Sequence, residues 1–219
     1  MSAFPGAPRL LKSGLVLLDP TTGTVQRVIT LQYNPEKLTR TLQAQTIGPD
    51  AGDRSQAPRF KGPPVETIKL EAEIDATDQL EVAGPGSPVT KVGLHPQLAV
   101  LETILYPPSS RLQANAALAR AGTLEIIPIQ SPLVLFVWSQ NRIVPVRLTE
   151  FSVTEEEFDT TLNPIRAKVA IGMRVLSIND VDPDSKAGSL FLIYQQQKER
   201  LAAQSQSGGF SALGIGGIP

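Results

Sequence analysis

The 219-residue sequence contains no cysteine and only one histidine, and aromatic residues make up 5% of it. Without cysteine the chain has no disulfides, no thiol nucleophile and no cysteine-based metal site, which fits a reducing compartment. Serine hydrolases of the common types need a histidine base. The single candidate, His95, stands in GLHPQL, where a helix start is expected, and the sequence has no G-x-S-x-G motif.

Long apolar runs are also absent. None approaches the roughly 18 residues that a membrane span needs. The N-terminal segment has a short apolar run at Leu15–Leu18 but no small-residue cleavage site, so it is interpreted as a mature strand. A net charge of −1 provides no electrostatic footprint for nucleic acid or for an anionic membrane. We therefore expect no nucleic-acid partner, no direct membrane contact, and synthesis in the cytoplasm.

Glycine and proline are abundant, with 17 and 19 residues. They break the sequence into short apolar segments, which is typical of a turn-rich β protein. The clearest alternation lies in 65–74, VETIKLEAEI, and in 165–178, IRAKVAIGMRVLSI. Further strands are predicted in 14–33 (a hairpin), 37–47, 123–127, 132–138 and 142–153. A 17-residue loop, 48–64, separates two of these strands, and loops of that length are usually functional or disordered.

Helical spacing appears in three segments. In 96–106 the residues Leu98, Leu101 and Leu105 form one stripe, stopped by two prolines, and a second helix is predicted in 111–122. The third, 189–203, is predicted to bury one face. That face comprises Leu190, Ile193, Tyr194, Gln197 and Leu201. The predicted organisation is a β domain at 1–186, a C-terminal helix at 187–204 and a Gly-rich flexible tail at 205–219.

One acidic segment, NDVDPDS, spaces Asp180, Asp182 and Asp184 like the start of a calcium loop. The pattern fails because the sixth position is Ser185, where glycine is needed, and the twelfth is Phe191, where glutamate is needed. A turn in which Asp184 or Ser185 caps the next helix is the favoured interpretation. A second group, Asp75, Asp78 and Glu81, fits a helix start better than a metal site.

The densest acidic cluster is Glu155, Glu156, Glu157 and Asp159. Three consecutive glutamates do not share one face of a strand, and crowding raises their pKa values only when they are buried. We interpret the cluster as a solvated segment between two strands, with Phe158 as a hydrophobic anchor. No catalytic constellation emerges, so the sequence predicts a protein that is not an enzyme and needs no cofactor or metal.

Several segments in order resemble the tube-protein-like family of contractile injection systems, which are phage-tail-like particles. They are LQYNPEKLTRTL (31–42), FKGPPVETIKLEAEIDATDQLE (60–81), the long run 132–176 containing EEEFDTTLNPIRAKV, and LIYQQQKERLA (192–202). The matching member is the tube initiator or baseplate adaptor, often described as LysM-containing. The resemblance covers about residues 14–200.

The resemblance implies a tail-tube-like β-barrel or sandwich with short helices and a C-terminal helix, and no active site. It implies a homohexameric ring that joins a spike hub to the inner tube, with baseplate or sheath proteins as further partners. The protein would be made in the cytoplasm and then become part of the assembled particle. The residues expected at protein interfaces are Phe60, Lys61, Pro63, Pro64, Glu155, Glu156, Glu157 and Phe158.

The chain departs from larger relatives at its C-terminus, where a Gly-rich stretch from Ser205 to Pro219 stands in place of a LysM module. No role of that module carries over. Two alternatives stay open: a small-ligand-binding β-barrel and a peptidoglycan-associated protein. The first needs an apolar pocket, and PLVLFVW (132–138) is the one aromatic-containing run suited to line it.

Overall fold

A computed structural model describes residues 11–47, 59–82, 87–122, 129–206 and 208–218. Most of its regular structure is β. The strands are β1 Gly14–Leu18, β2 Val25–Thr30, β3 Leu38–Gln43, β4 Thr46–Ile47, β5 Arg59–Phe60, β6 Val65–Asp75, β7 Leu133–Ser139, β8 Arg142–Phe158 and β9 Pro164–Val175. The helices are α1 Thr77–Val82, α2 Pro88–Val92, α3 His95–Glu102, α4 Ser109–Arg120 and α5 Lys186–Ala203, followed by a 3-10 turn at Phe210–Leu213.

Seven strands form one antiparallel sheet in the order β2-β1-β7-β8-β9-β6-β3, and β4 pairs with β5 in a separate hairpin. The predicted fold class, mainly β with short helices and a C-terminal helix, is confirmed. The predicted hairpin at 14–33 is also confirmed, as β1 and β2.

The sheet is curled. Gln32, two residues past edge strand β2, donates its side-chain amide to the carbonyl of Asp75 at the end of β6 over 2.7 Å. Its side-chain oxygen accepts the Asp75 N–H over 3.0 Å. In a flat sheet five strand spacings would separate β2 from β6, about 24 Å. Direct hydrogen bonds therefore require the two sides of the sheet to approach each other, as in an open barrel.

The alternation predicted for β6 and β9 is confirmed. Their apolar residues are almost completely buried: Ile68, Leu70, Ala72 and Ile74 in β6, and Ala167, Val169, Ile171, Met173 and Val175 in β9. Lys69 and Glu71 are exposed on the other face, as predicted. The two strands are paired in register from Thr67↔Arg174 to Asp75↔Arg166, so their apolar sides form one continuous wall of the core.

Strands β1 and β7 are buried on both faces. Leu15 and Phe136 belong to the main core, whereas Leu18 and Leu133 pack with Ala187 at the start of α5 in a second cluster. This accounts for the unbroken apolar runs of both strands, because a strand covered on two sides needs no polar positions.

The stripe predicted for 96–106 is only partly right. Leu98 and Leu101 are buried, but α3 ends at Glu102, and Leu105 lies beyond it with 46% of its surface exposed. Thr103 is the C-cap, and the prolines at 107 and 108 disfavour helical conformation in the residue before them. The helix is therefore shorter than the apolar pattern suggested.

The face predicted for the C-terminal helix is only partly right. Tyr194 is buried and Leu190 packs against the second cluster, but Ile193 is 59% exposed, and α5 also buries Ala187, Gly188 and Phe191. Leu201 is also exposed, at 40%. The docking of the helix start sets this rotation: a Cβ on Gly188 would lie 2.6 Å or less from backbone oxygens of the preceding turn. Gly188 therefore lies against this turn.

Several predictions fall on residues outside the described ranges, namely the strand at 123–127 and most of the loop at 48–64. The predicted flexibility of the tail stays a prediction. Among the described helices, none combines the length and the apolar character needed to cross a membrane.

Candidate assembly surfaces

The acidic cluster lies within a strand, which corrects the predicted solvated inter-strand segment. β8 continues to Phe158 and pairs Glu155 with Ala167, Glu156 with Arg166, and Phe158 with Pro164. Glu157 has a φ of 52°, which is uncommon for a residue other than glycine, but the register on its two sides is unchanged. The β8–β9 pair thus forms a long hairpin that ends in residues 159–163.

Asp159 holds the turn of this hairpin in one conformation. One of its carboxylate oxygens accepts hydrogen bonds from the N–H and hydroxyl of Thr161, at 2.7 and 2.8 Å, and from the N–H of Asn163 at 2.9 Å. The other oxygen accepts from the Asn163 side-chain amide at 2.9 Å. These bonds, led by those from Asn163, lower the pKa of Asp159 to about 2. The carboxylate is therefore fully used inside the turn.

The turn is also tied to the helical segment beneath it. The side-chain amide of Asn163 donates to the carbonyl of Lys91, and the N–H of Leu94 donates to the carbonyl of Pro164. On the outside, Phe158 is 49% and Leu162 78% exposed. Leu162 has a φ of 66°, which costs a leucine about 1–2 kcal/mol. An apolar side chain is thus presented to solvent from a fixed, strained backbone.

Two of the three glutamates are neutralised within the chain. Glu156 accepts from Lys168 at 2.9 Å, and Glu157 accepts from Arg166 at 2.7 Å. Hydrogen bonding to Glu156 raises the pKa of Lys168. In the described part of the chain Glu155 has no ion-pair partner. We define the tip surface as Glu155, Phe158 and Leu162.

The second predicted segment forms the β4–β5 hairpin. Phe60 pairs with Thr46, and its side chain is 79% exposed between the exposed Arg59 and Lys61. Neither cation has an ion-pair partner among the described residues. We define the β5 surface as Arg59, Phe60 and Lys61.

The residues that follow turn back toward their own chain. Pro63 and Pro64 are half-buried, so only part of each side chain is available for the interface predicted for them. A Cβ on Gly62 would lie 2.6 Å from the Asn179 side-chain nitrogen. The β5 surface therefore lies next to Asn179, in the turn that follows β9.

The two surfaces lie at opposite ends of the sheet. β6 begins at Val65, next to the β5 surface, and ends at Asp75, which pairs with Arg166 beside the tip. Eleven residues in a strand span about 33 Å at 3.3 Å per residue. The predicted interface residues therefore form two separate surfaces.

A third polar cluster was missed by sequence reasoning. Glu66 is buried, at 3% exposure, and accepts hydrogen bonds from Arg40 at 2.8 Å, Tyr194 at 3.0 Å and Lys198 at 3.0 Å. The cluster joins β3 and β6 to α5. The available signal was the position of Glu66 on the inward, apolar side of the β6 alternation.

The charge of Glu66 is maintained despite its burial. Burial acts to raise the pKa of Glu66, but the hydrogen bonds from Arg40 and Lys198 outweigh it and lower the pKa below its usual value. Burial, together with the Glu66 charge, raises the pKa of Tyr194 to about 12. Lys198 also lies 4.0 Å above the Tyr194 ring, a cation–π contact. The arrangement is a structural clasp for α5.

The other acidic motif is a turn with a helix cap, as favoured. Asp180 accepts from the N–H and hydroxyl of Ser177 and from Arg174 at 2.7 Å. Ser185 is the N-cap of α5 and accepts from the N–H of Gly188. In the described ranges no three His, Asp or Glu side chains are grouped so as to hold a metal ion.

The aromatic run considered for a ligand pocket contributes mainly to the core. Phe136 is completely buried and lies 6.0 Å, ring centre to ring centre, from the partly buried Trp138. An apolar cleft of about 570 Å³ does exist near the start of β7, lined by Ile104, Leu133, Val146 and Leu176 among others. It borders Gln130, next to the segment outside the described ranges.

No protein-family model matches the chain, and a search of curated proteins found no match. Among solved structures, the chain is similar to a chain of the tail of an empty GTA particle, computed with helical refinement in C6 symmetry. The alignment covers 74% of this chain and 90% of the other, with 11% sequence identity and a TM-score of 0.31.

Proposed function

We propose that this chain is a structural subunit of a phage-tail-like contractile injection system. Its place would be a hexameric tube-initiator or baseplate adaptor ring that joins the spike hub to the inner tube. The observation that carries the proposal is the presence of two exposed surfaces with apolar side chains at opposite ends of one curled sheet. A subunit in a ring or stack needs two different surfaces, one for each neighbour.

The edge strand β2 supports the same proposal. β2 stands at one end of the sheet order and exposes Val25 at 62% and Val28 at 61%. Exposed apolar edges promote aggregation unless a partner covers them. Assembly with further copies, or with neighbouring ring proteins, would cover this edge.

The partners proposed are other copies of the chain, the inner tube protein, the spike or hub protein, and further baseplate or sheath proteins. The chain would be made in the cytoplasm and then become part of the particle. We propose no catalytic role, because the acidic residues that first suggested chemistry form a hairpin turn, ion pairs and a helix cap.

Deletion and complementation test the proposal. In a cell that makes the particle, deleting the gene is expected to stop tube assembly while the spike complex accumulates, and the wild-type gene restores particles visible by electron microscopy. Phe60→Ala is expected to restore few particles, although its melting temperature stays near wild type, because the side chain is 79% exposed. Intact particles without the chain would refute the proposal.

The matched control is Tyr106→Ala, since Tyr106 is 69% exposed, belongs to neither surface and stands between α3 and α4 in the chain. This variant is expected to restore particles fully. If Phe60→Ala and Tyr106→Ala reduce the number of restored particles equally, Phe60 has no special role in assembly.

A further inference from the structure

Charge is distributed unequally along the sheet. At the hairpin end, residues 71–75, 155–158 and 164–168 contain six carboxylates and two cations. At the other end, residues 38–43, 59–61, 65–69, 142–150 and 172–175 contain seven cations and two carboxylates, Glu66 and Glu150. The sheet therefore has an acidic end and a basic end.

Internal pairing leaves only part of this charge available to a partner. At the basic end, Arg40 pairs with Glu66, Lys69 with Glu150, and Arg174 with Asp180. The turn after β9 also places Asp182 and Asp184 on this side of the molecule. The β5 surface keeps two exposed cations, Arg59 and Lys61, and the tip surface keeps one exposed carboxylate, Glu155.

We propose that the tip surface of one copy docks on the β5 surface of a second copy, with Glu155 against Arg59 and Lys61, and Phe158 and Leu162 against Phe60. The inference rests on the proposed function and deepens it by naming the contact between copies. The occupant is a second copy because the two surfaces are complementary. The carboxylate of the tip surface matches the cations of the β5 surface, and the exposed apolar side chains of each can cover those of the other.

The contact cannot form within one chain. The two surfaces are separated by the length of β6, about 33 Å. Docking therefore joins unlike ends of two copies, which leaves one tip surface and one β5 surface free for further copies. Such a heterologous contact continues until it closes into a ring or extends as a stack.

The tip is built for docking without rearrangement. Asp159 and Asn163 fix its turn, and Leu94 and Lys91 fix its base. A surface that is already ordered loses little entropy on binding. The strained φ of 66° at Leu162 points to the same use, since a glycine at this position would relieve the strain but would present no side chain.

Because the chain has no cysteine, paired cysteines provide a direct test. The full-length double variant Glu155→Cys, Lys61→Cys is oxidised and analysed by non-reducing electrophoresis. A disulfide requires Cα atoms within about 7 Å, so the two positions cannot be linked inside one copy. We expect a ladder of dimers, trimers and larger products, ending at a closed ring if the ring forms.

Two controls separate docking from random collision. Each single-cysteine variant can form dimers at most. The double variant Glu155→Cys, Glu36→Cys keeps the tip position but places the second cysteine on the exposed Glu36, in the loop between β2 and β3. We expect at least tenfold less ladder than with Lys61→Cys. Equal ladders in both double variants, or no product beyond dimers, would overturn the proposal.

Charge exchange gives an independent readout on the cysteine-free chain, which keeps Glu155 and Lys61. In sedimentation velocity, Arg59→Glu is expected to weaken self-association, and 0.5 M salt is expected to weaken that of the wild type, because the contact is exposed. Unchanged association under both conditions would show that charge does not guide the contact.

The outcome distinguishes this inference from the proposed function. If the cysteine pair gives a ladder but particles assemble without the chain, the head-to-tail contact is supported and the proposed role in an injection system is refuted. If particles require the chain but no specific ladder forms, the proposed role is supported and this contact is refuted.

Discussion

At the scale of single residues, Glu66 shows how a charged group becomes part of a core. Its position could be predicted as inward-facing from the alternation of β6. Its partners could not, because Arg40 is 26 residues away and Lys198 is 132 residues away along the sequence. Long-range pairs of this kind are decided by the curl of the sheet and the rotation of α5, which local patterns do not encode.

Replacing Glu66 with alanine is expected to destabilise the fold by about 3–5 kcal/mol, since it leaves Arg40 and Lys198 without their buried partner. Urea denaturation measures the change. The control Glu71→Ala, on the exposed face of the same strand, is expected to stay within about 0.5 kcal/mol. Similar losses in both variants would contradict the clasp.

The pH dependence of this effect has a definite sign. The folded-state pKa of Glu66 lies below its ordinary value of 4.5, so the unfolded chain takes up the proton first. The stabilisation by Glu66 is therefore present above about pH 4.5 and is lost as the pH falls through the folded-state pKa. In Glu66→Gln the stability should fall less steeply in acid than in the wild type.

Asp159 gives a second residue-scale prediction. NMR titration of its carboxyl carbon is expected to show a midpoint near pH 2, because Asn163 and Thr161 donate to the ionised form. Asn163→Ala removes the side-chain donor and should move the midpoint up toward 3.8. A wild-type midpoint already near 3.8 would mean that the turn is open in solution.

At the scale of elements, the sequence predicted most accurately those strands that bury one face and expose the other. β6 and β9 follow the alternation because their partners across the sheet keep the same register. The end of β8 was missed because consecutive glutamates disrupt the alternation, and the strand there is held by Lys168, Arg166 and the fixed turn. The face of α5 was predicted only in part, because Gly188, which has no hydrophobic signal, is buried against the turn before the helix.

The register of β9 can be tested with neighbouring positions. Val169 is fully buried, so Val169→Asp places an unpaired charge in the core and is expected to unfold the protein. Lys168 lies on the opposite face, with its ammonium group paired to Glu156, so Lys168→Ser should remain folded. Circular dichroism distinguishes the two, and an equal effect of both variants would contradict the register.

Leu162 should show opposite effects on stability and on assembly. Leu162→Gly relieves the positive φ and is expected to raise the free energy of unfolding by up to about 1 kcal/mol. The same change removes an apolar side chain from the tip surface, so self-association should weaken. Leu162→Met, which keeps a side chain, is the matched control. A destabilised but fully assembling Leu162→Gly would contradict the role of the tip.

At the scale of the whole molecule, the acidic cluster is part of the hairpin at one end of the curled sheet. Glu156 and Glu157 stabilise the hairpin through Lys168 and Arg166, and Glu155 alone is left for a partner. A reversal of all three glutamates to lysine would therefore disturb the fold as well as the contact, whereas Glu155→Lys isolates the contact. Composition predicted a β protein, but the ion pairs could be read only from the structure.

The most direct test of the central claim is a cryo-EM map of the assembled particle. We predict six copies of this chain in one ring between the spike hub and the first layer of the inner tube, with each tip surface touching a neighbouring copy. Particles without this chain, or with the chain in any number other than six per ring, would contradict the account.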